Sequence, residues 1–446
     1  MSTASLRFSA SQPSSIAPST TDELVELLSQ VWQGVLGRPV GRDEDFFALG
    51  GTSVQAVMIT NRVQDKLGAP VHPAAIFDAP TIAMLAGWVR THHPEIFGRS
   101  CSGDPLAEQR VGSPLSPPLR TEEIERARQY FANPDLVVDR TAPRNRPAIF
   151  ILCPPRSGST LLRVMLAGHS GLFSPPELYL LPFDTLAARR TRFSGRVRFM
   201  GEGLTRAVMA LRNLTREDAE ALVDRLADEG TSIHQLYALL QEWAGGRRLV
   251  DKTPDYSLDP TVLRRAEHEF DGALFIHMVR HPMACVASFV EARADLATGE
   301  HDERLPSSAR KRGELWWLVG QSNIVEFLRE IPAERQVQVR FEELVARPEA
   351  VMRTLSDRLG ISFSADMLEP HADRVARMTD GITEHSRMLG DQAFHRHHRI
   401  DPTRADRWRA QISAEGGGLC EATWELACSL GYEREELVPE REEWEI

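Results

Sequence analysis

Between Ala148 and His169 the chain reads AIFILC, then PPRSGS, then TLLRVMLAGH. An apolar run too short for a helix and bounded by Pro, Gly and Ser reads as a buried strand, and the run after it has helical spacing. A strand that turns sharply into a helix aims successive backbone N–H groups at one point, and such a point attracts an anion. Ser157, Ser159 and Thr160 add hydroxyl donors, Leu161 is counted with them among the expected binding residues of the loop, and Gly158 permits close approach to the backbone. Arg156 can fork onto a charged oxygen. The loop lacks the GxxxxGK[ST] pattern of nucleotide triphosphatases, which argues against a kinase or ATPase.

The same strand-then-helix grammar recurs downstream. ALFIHMV runs through a turn into ACVASFVEAR, and VQVRF precedes EELVARPEAVMRTLSDRLG. Strands alternating with helices predict a parallel sheet covered on both faces. The N-terminal part differs. ELVELLSQVWQGVL places Leu24, Leu27, Leu28, Val31 and Leu36 on one helical face, and SVQAVMITNRVQDKLG and TIAMLAGWVR continue in helical period. The expected fold is a small all-α four-helix bundle followed by an α/β domain with a central parallel sheet. The expected layout is a disordered Ser/Thr/Pro-rich lead over 1–20, the bundle over 21–92, a Pro/Gly-rich linker with one helix over 93–145, the α/β domain over 146–435, and an acidic, solvated tail over 436–446.

With 446 residues, more than one domain is expected. A net charge of −11 argues against general nucleic-acid binding. No apolar run is long enough to span a bilayer, and the first residues lack the apolar core of a secretory signal. Five cysteines without metal or disulfide spacing fit a reducing cytoplasm and predict no metal site.

In the bundle, Asp45 to Val54 reads DFFALGGTSV. Two glycines allow a tight turn, and Ser53 then stands at a helix start. There it reads either as a plain capping serine or as an exposed hydroxyl whose phosphate ester the helix N-terminus would accommodate. The Phe46-Phe47 pair, the helix before it and IFDAPTIAMLA after it resemble acyl and peptidyl carrier proteins across nearly the whole bundle. GGTS is nearer the style of non-ribosomal peptide synthetases. That resemblance implies 4′-phosphopantetheine on Ser53, attached by a phosphopantetheinyl transferase.

PPRSGSTLLRVML resembles the 5′-phosphosulfate loop of sulfotransferases, and HMVRHPMACVAS resembles their second element, which grips the nucleotide 3′-phosphate. The resemblance implies a P-loop-like sulfotransferase fold that uses 3′-phosphoadenosine 5′-phosphosulfate, with Arg280 and Ser288 as the 3′-phosphate residues. Alone, Arg280 reads as a surface arginine and Ser288 as helix filler. The reaction needs a base for the acceptor hydroxyl and a cation for the leaving oxygen. Glu177, in SPPELYLLPF, matches a glutamate that acts as base in tyrosylprotein sulfotransferases. His395, in the cluster HRHH, is the second candidate, since neutral imidazole suits base chemistry near neutral pH. Lys252, in VDKTPDY, matches a lysine that stabilises the bridging oxygen, and otherwise reads as a surface partner of Asp251. Arg156 would share the charge. Trp316 and Trp317 read as helix packing, and His169 as a helix-end residue.

RSGSTLLRVMLAGH followed by LFSPPELYLLPF is similar to the sulfotransferase domains of polyketide terminal-olefin systems. This resemblance implies sulfonation of a β-hydroxyl on a carrier-bound acyl chain, received from upstream polyketide or non-ribosomal peptide synthetase modules and followed by release and decarboxylation to an alkene. The chain has no GxSxG elbow, so a thioesterase would be a separate partner. Two other classes remain: a sulfotransferase for a free small molecule, and a non-catalytic nucleotide-binding scaffold.

Overall fold

The computed structural model describes residues 20–97 except 52, 70, 72 and 73; 118–292 except 134, 135, 137 and 139–141; 304–379; 394; 399–409; and 418–434. The chain divides into two compact units, Met1–Gln109 and Arg110–Ile446.

The first unit is helical: α1 (Thr21–Leu36), α2 (Ser53–Leu67), α3 (Ala74–Asp78) and α4 (Ile82–His92). A capping box opens α1, with the Thr20 hydroxyl accepting from the Glu23 amide and the Glu23 carboxylate accepting from the Thr20 amide; left-handed Gly37 ends the helix. The predicted apolar face is real but shifted. Leu24, Leu28, Val31 and Trp32 are buried, while Leu27 and Leu36 are half-buried. Trp32 meets Phe46 edge-on, ring centroids 5.3 Å apart. The turn ahead of α2 needs its two glycines for different reasons. Gly50 has φ +80°, and a Cβ on Gly51 would stand 2.5 Å from the Phe46 carbonyl oxygen.

The second unit holds a five-stranded sheet in the order β2-β3-β1-β4-β5, from β1 (Ile149–Leu152), β2 (Leu172–Phe173), β3 (Arg248–Asp251), β4 (Leu274–Val279) and β5 (Gln336–Arg340). Every pairing is parallel. All four residues of β1 are buried, as a central strand covered on both faces requires. After β1 the chain goes out to β2 and returns to β3 on one side, then crosses to β4 and β5 on the other. The carboxyl end of β1 is thus the topological switch point, where open α/β sheets bind ligands. The strand assignments at AIFILC, ALFIHMV and VQVRF hold. The helix expected after VQVRF is two, α14 (Phe341–Ala346) and α15 (Pro348–Leu359), because Pro348 starts a new helix at its first turn.

Between β2 and β3 lie α7 (Leu186–Arg192), α8 (Glu202–Arg212), α9 (Arg216–Asp228) and α10 (Ile233–Trp243), and α11 (Pro260–Glu269) precedes β4; the helices that position the site are α6 (Ser159–Leu166) after β1, α12 (Pro282–Glu291) after β4, and α13 (Ala309–Leu328) packed along α12. The helix α5 (Thr121–Phe131) packs on α13, with Phe131 edge-on to Trp316 at 4.7 Å and Lys311 paired to Glu123 at 3.1 Å. A last described helix, Glu421–Ser429, lies against α13 as well. Among the described residues, no helix is long and apolar enough to cross a membrane.

Candidate active site

The loop from Cys153 to Gly158 holds two residues in the left-handed region, Arg156 at φ 69° and Gly158 at φ 83°. Alternating backbone handedness turns consecutive N–H groups to one side, and the dipole of α6 adds positive potential there. Left-handed arginine is strained and persists only where its surroundings hold it. They do so here: the Arg156 carbonyl accepts from Arg280 Nη1 at 2.8 Å, and Arg156 Nε donates to Ser288 Oγ at 3.1 Å. Ser157 Oγ is turned inward and donates to the Pro154 carbonyl at 2.9 Å. Gly158 is needed for a reason beyond the one the sequence suggested. A Cβ there would lie 2.2 Å from the Phe341 ring, so the close approach is made by a side chain of this protein.

Arg280 leaves the end of β4 and Phe341 the end of β5, neighbours by register, and the Arg280 guanidinium sits 4.4 Å from the centre of the Phe341 ring. The Arg280 carbonyl accepts from Trp317 Nε1 at 3.0 Å, so Trp317 is more than helix packing. Gly158, Leu161, Arg280, Phe341, Arg399 and Arg404 all line one cleft. The two anion elements, distant in sequence, therefore open into one space. The sequence reading missed Arg404 as a cation facing this cleft; the signal was its place in RIDPTR beside Arg399.

On the other side of β1, Lys252 follows β3 and is buried, 1% exposed. Its ammonium is ion-paired to the Glu177 carboxylate and lies 3.5 Å from Thr160 Oγ1. A surface lysine paired with Asp251 is thereby excluded. Burial pushes the Glu177 carboxyl up, but the Lys252 ammonium overrides it and holds the group below the usual carboxylate range. Burial, then the charge of Glu177, pushes Asp255 up to about 6. The thiol of Cys153, at the base of the loop, is driven up to about 11 by burial. His169 accepts from the Gly171 amide at 3.0 Å and closes the turn after α6.

Arg156, Ser157, Gly158, Ser159, Thr160, Leu161, Glu177, Lys252, Arg280 and Ser288 thus gather at the carboxyl ends of β1, β3 and β4. Ser53 begins α2 in the other unit, and its side chain lies outside the described residues, as does His395 with the rest of its cluster.

Known proteins resemble both units. The sulfotransferase family model matches residues 147–365, and the phosphopantetheine attachment site model matches residues 26–89. The sulfotransferase domain from the curacin biosynthetic pathway is 40% identical with a TM-score of 0.60, over 65% of this chain and 99% of that one. The sulfotransferase domain from the Synechococcus PCC 7002 olefin synthase is 38% identical with a TM-score of 0.59, over 66% and 98%. The first unit is similar to part of surfactin synthase subunit 3 of Bacillus subtilis, 39% identical over 70 residues. Those residues are 16% of this chain and only 6% of that synthase.

Proposed function

Because the chain belongs to the sulfotransferase family and carries a phosphopantetheine attachment domain ahead of the catalytic one, we propose that it sulfonates a hydroxyl of an acyl or peptidyl chain held on its own arm at Ser53. The observation that carries the reading is the buried Lys252–Glu177 pair beside Thr160, at the mouth of an anion-binding loop. A cation to neutralise a leaving oxygen and a carboxylate to accept a proton stand together there.

The donor set suits 3′-phosphoadenosine 5′-phosphosulfate. The loop's backbone N–H groups and the Ser159 and Thr160 hydroxyls would serve one anionic end, and the cleft that Gly158 and Arg280 both line supports Arg280 for the other. The bound donor supplies an SO₃ group on a phosphate oxygen. Thr160 and Lys252 hold that leaving oxygen and offset its growing charge. Glu177, ionised at neutral pH, takes the acceptor's proton as the hydroxyl oxygen forms its bond to sulfur and the bond from sulfur to the phosphate oxygen breaks. Arg156 braces the loop through Ser288 and Arg280.

The carrier supports delivery in cis, since a tether raises local concentration without new contacts. Similarity to the olefin-synthase and curacin-pathway domains supports a β-hydroxyl acceptor and a sulfate that primes alkene formation. The peptidyl-type carrier keeps aminoacyl and peptidyl acceptors within the proposal. Upstream synthetase modules, a phosphopantetheinyl transferase and a separate thioesterase are the proposed partners. Free thiols at buried Cys153, Cys285 and Cys420 support a reducing cytoplasm.

The test is intact-mass analysis of the pantetheinylated chain, loaded with a series of β-hydroxyacyl groups and given the sulfate donor. A gain of one SO₃ on the arm, lost in Ser53→Ala, is the expected result. Sulfonation of the same hydroxyl on a free small molecule, undiminished in Ser53→Ala, would overturn delivery in cis.

A further inference from the structure

Glu177 lies in a stretch without helix or strand, between β2 and α7 (Leu186–Arg192). Such a stretch must satisfy its buried backbone groups elsewhere. It does so through side chains. The amides of Leu180 and Leu181 both donate to the Tyr256 hydroxyl, at 2.8 and 3.3 Å. The Tyr179 amide donates to Thr253 Oγ1 at 3.3 Å. Arg189 donates to the Leu178 carbonyl at 2.8 Å and to the Tyr179 carbonyl at 3.0 Å. Tyr179 is held at φ 50°, so the turn after Glu177 takes a backbone form that tyrosine does not adopt unaided. On the far side, a Cβ on Gly203 would lie 2.0 Å from the Glu177 carbonyl oxygen, so the loop cannot retreat in that direction.

The supports converge on one buried carboxylate. Asp251 Oδ2 accepts from Tyr256 at 3.1 Å and from Tyr237 at 2.6 Å, and Oδ1 accepts from Thr253 at 3.1 Å. A hydroxyl that donates to a carboxylate becomes a better acceptor for the two loop amides. Asp251 is the last residue of β3, and the next residue is Lys252, the partner of Glu177. One strand end thus fixes both the charge opposite Glu177 and the backbone that carries it.

We propose that Tyr256, braced by Asp251, is the positioning residue that sets the Glu177 loop against Lys252. The catalytic consequence rests on Glu177 acting as base; the anchoring does not. Tyr237 provides the control. It is equally buried, bonded to the same Asp251 oxygen and 3.4 Å from the Tyr256 hydroxyl, yet among the described residues no loop amide donates to it.

In the full-length protein, Tyr256→Phe and Tyr237→Phe are compared by amide hydrogen exchange and by turnover on the arm loaded with a 3-hydroxyacyl group. Exchange at Leu180 and Leu181 rises about tenfold or more in Tyr256→Phe and stays unchanged in Tyr237→Phe. Turnover falls about tenfold or more in Tyr256→Phe alone, with 3′-phosphoadenosine 5′-phosphate affinity within about twofold of the parent, as expected when a reacting group is misplaced but its cosubstrate site is intact. Equal exchange in the two variants overturns the anchoring, and fast exchange with unchanged turnover overturns the positioning. Full activity in Glu177→Gln sinks the base assignment, and the exchange result still decides the anchoring.

Discussion

Gly158→Ala puts the anion loop under a measurable load. At φ 83° an alanine carries a left-handed cost of about 1–2 kcal/mol. Its Cβ would also stand 2.2 Å from Phe341, whereas real Cβ contacts essentially never fall below 3.0 Å. The ring must move by most of an ångström, and overpacking of that kind costs about 1–3 kcal/mol. Together these predict a loss of about 2–5 kcal/mol in unfolding free energy. The damage reaches binding as well, because the Phe341 ring underlies Arg280, 4.4 Å from the ring centre. The measurements are urea unfolding followed by tryptophan fluorescence, and calorimetry with 3′-phosphoadenosine 5′-phosphate. Affinity falls about tenfold or more, since the loop and Arg280 are displaced together. Adding Phe341→Leu removes the steric part and restores about half of the lost stability, leaving the backbone cost. A Gly158→Ala protein with parental stability and affinity would refute both the left-handed turn and the seating of Phe341 upon it.

Glu177→Gln leaves the Lys252 ammonium buried without its counter-charge, costing about 3–5 kcal/mol, whereas Glu177→Gln with Lys252→Met removes both charges and recovers most of that; thermal unfolding of the two proteins checks it, and both lose activity. His281, 6% exposed and stacked on Trp408 at 4.2 Å, is pushed down to about 3 by burial and then by Arg409, Arg340 and Arg280. The unfolded state binds the proton first, so this group's stability contribution is present above the ordinary histidine range and is lost as pH falls through about 6.5 towards 3. Between pH 7 and 5 it removes about 2 kcal/mol, and His281→Phe, which keeps the stacking, flattens that part of the pH dependence in urea unfolding; an unchanged slope would count against the burial of the ring.

The fold was legible where one local rule operated at a time. AIFILC, with every residue apolar, reads as a central strand because both of its faces are covered. The carrier helices read from period, caps and glycines. β2 was not legible, because two residues carry no period, and they become a strand only through the register of Leu172 with Arg248. In the candidate site the loop hydroxyls stood out by residue type, whereas Glu177 and Lys252 stood out only through resemblance to sulfotransferases. What escaped was tertiary. Nothing in the local sequence says that Phe341 fills the space over Gly158 or that Trp317 holds the Arg280 carbonyl.

The division of labour at the end of β3 shows why such residues matter. Asp251 ends β3 and Lys252 follows it directly, and the two serve different neighbours. Lys252 reaches Glu177 and Thr160, while Asp251 gathers Tyr237, Thr253 and Tyr256 beneath the loop. Burial pushes the Asp251 carboxyl up to about 6, against the pull of those three hydroxyls. When it is ionised, all three hydroxyls have an acceptor and Tyr256 is free to receive both loop amides. Protonation puts a donor among donors and loosens the hold on Glu177. The sign follows for catalysis: sulfuryl transfer declines as pH falls through about 6 even though Glu177, held low by Lys252, is still ionised there. A pH profile with its acid limb well below 5 would show that Glu177 alone sets it and that the network beneath does not reach the chemistry.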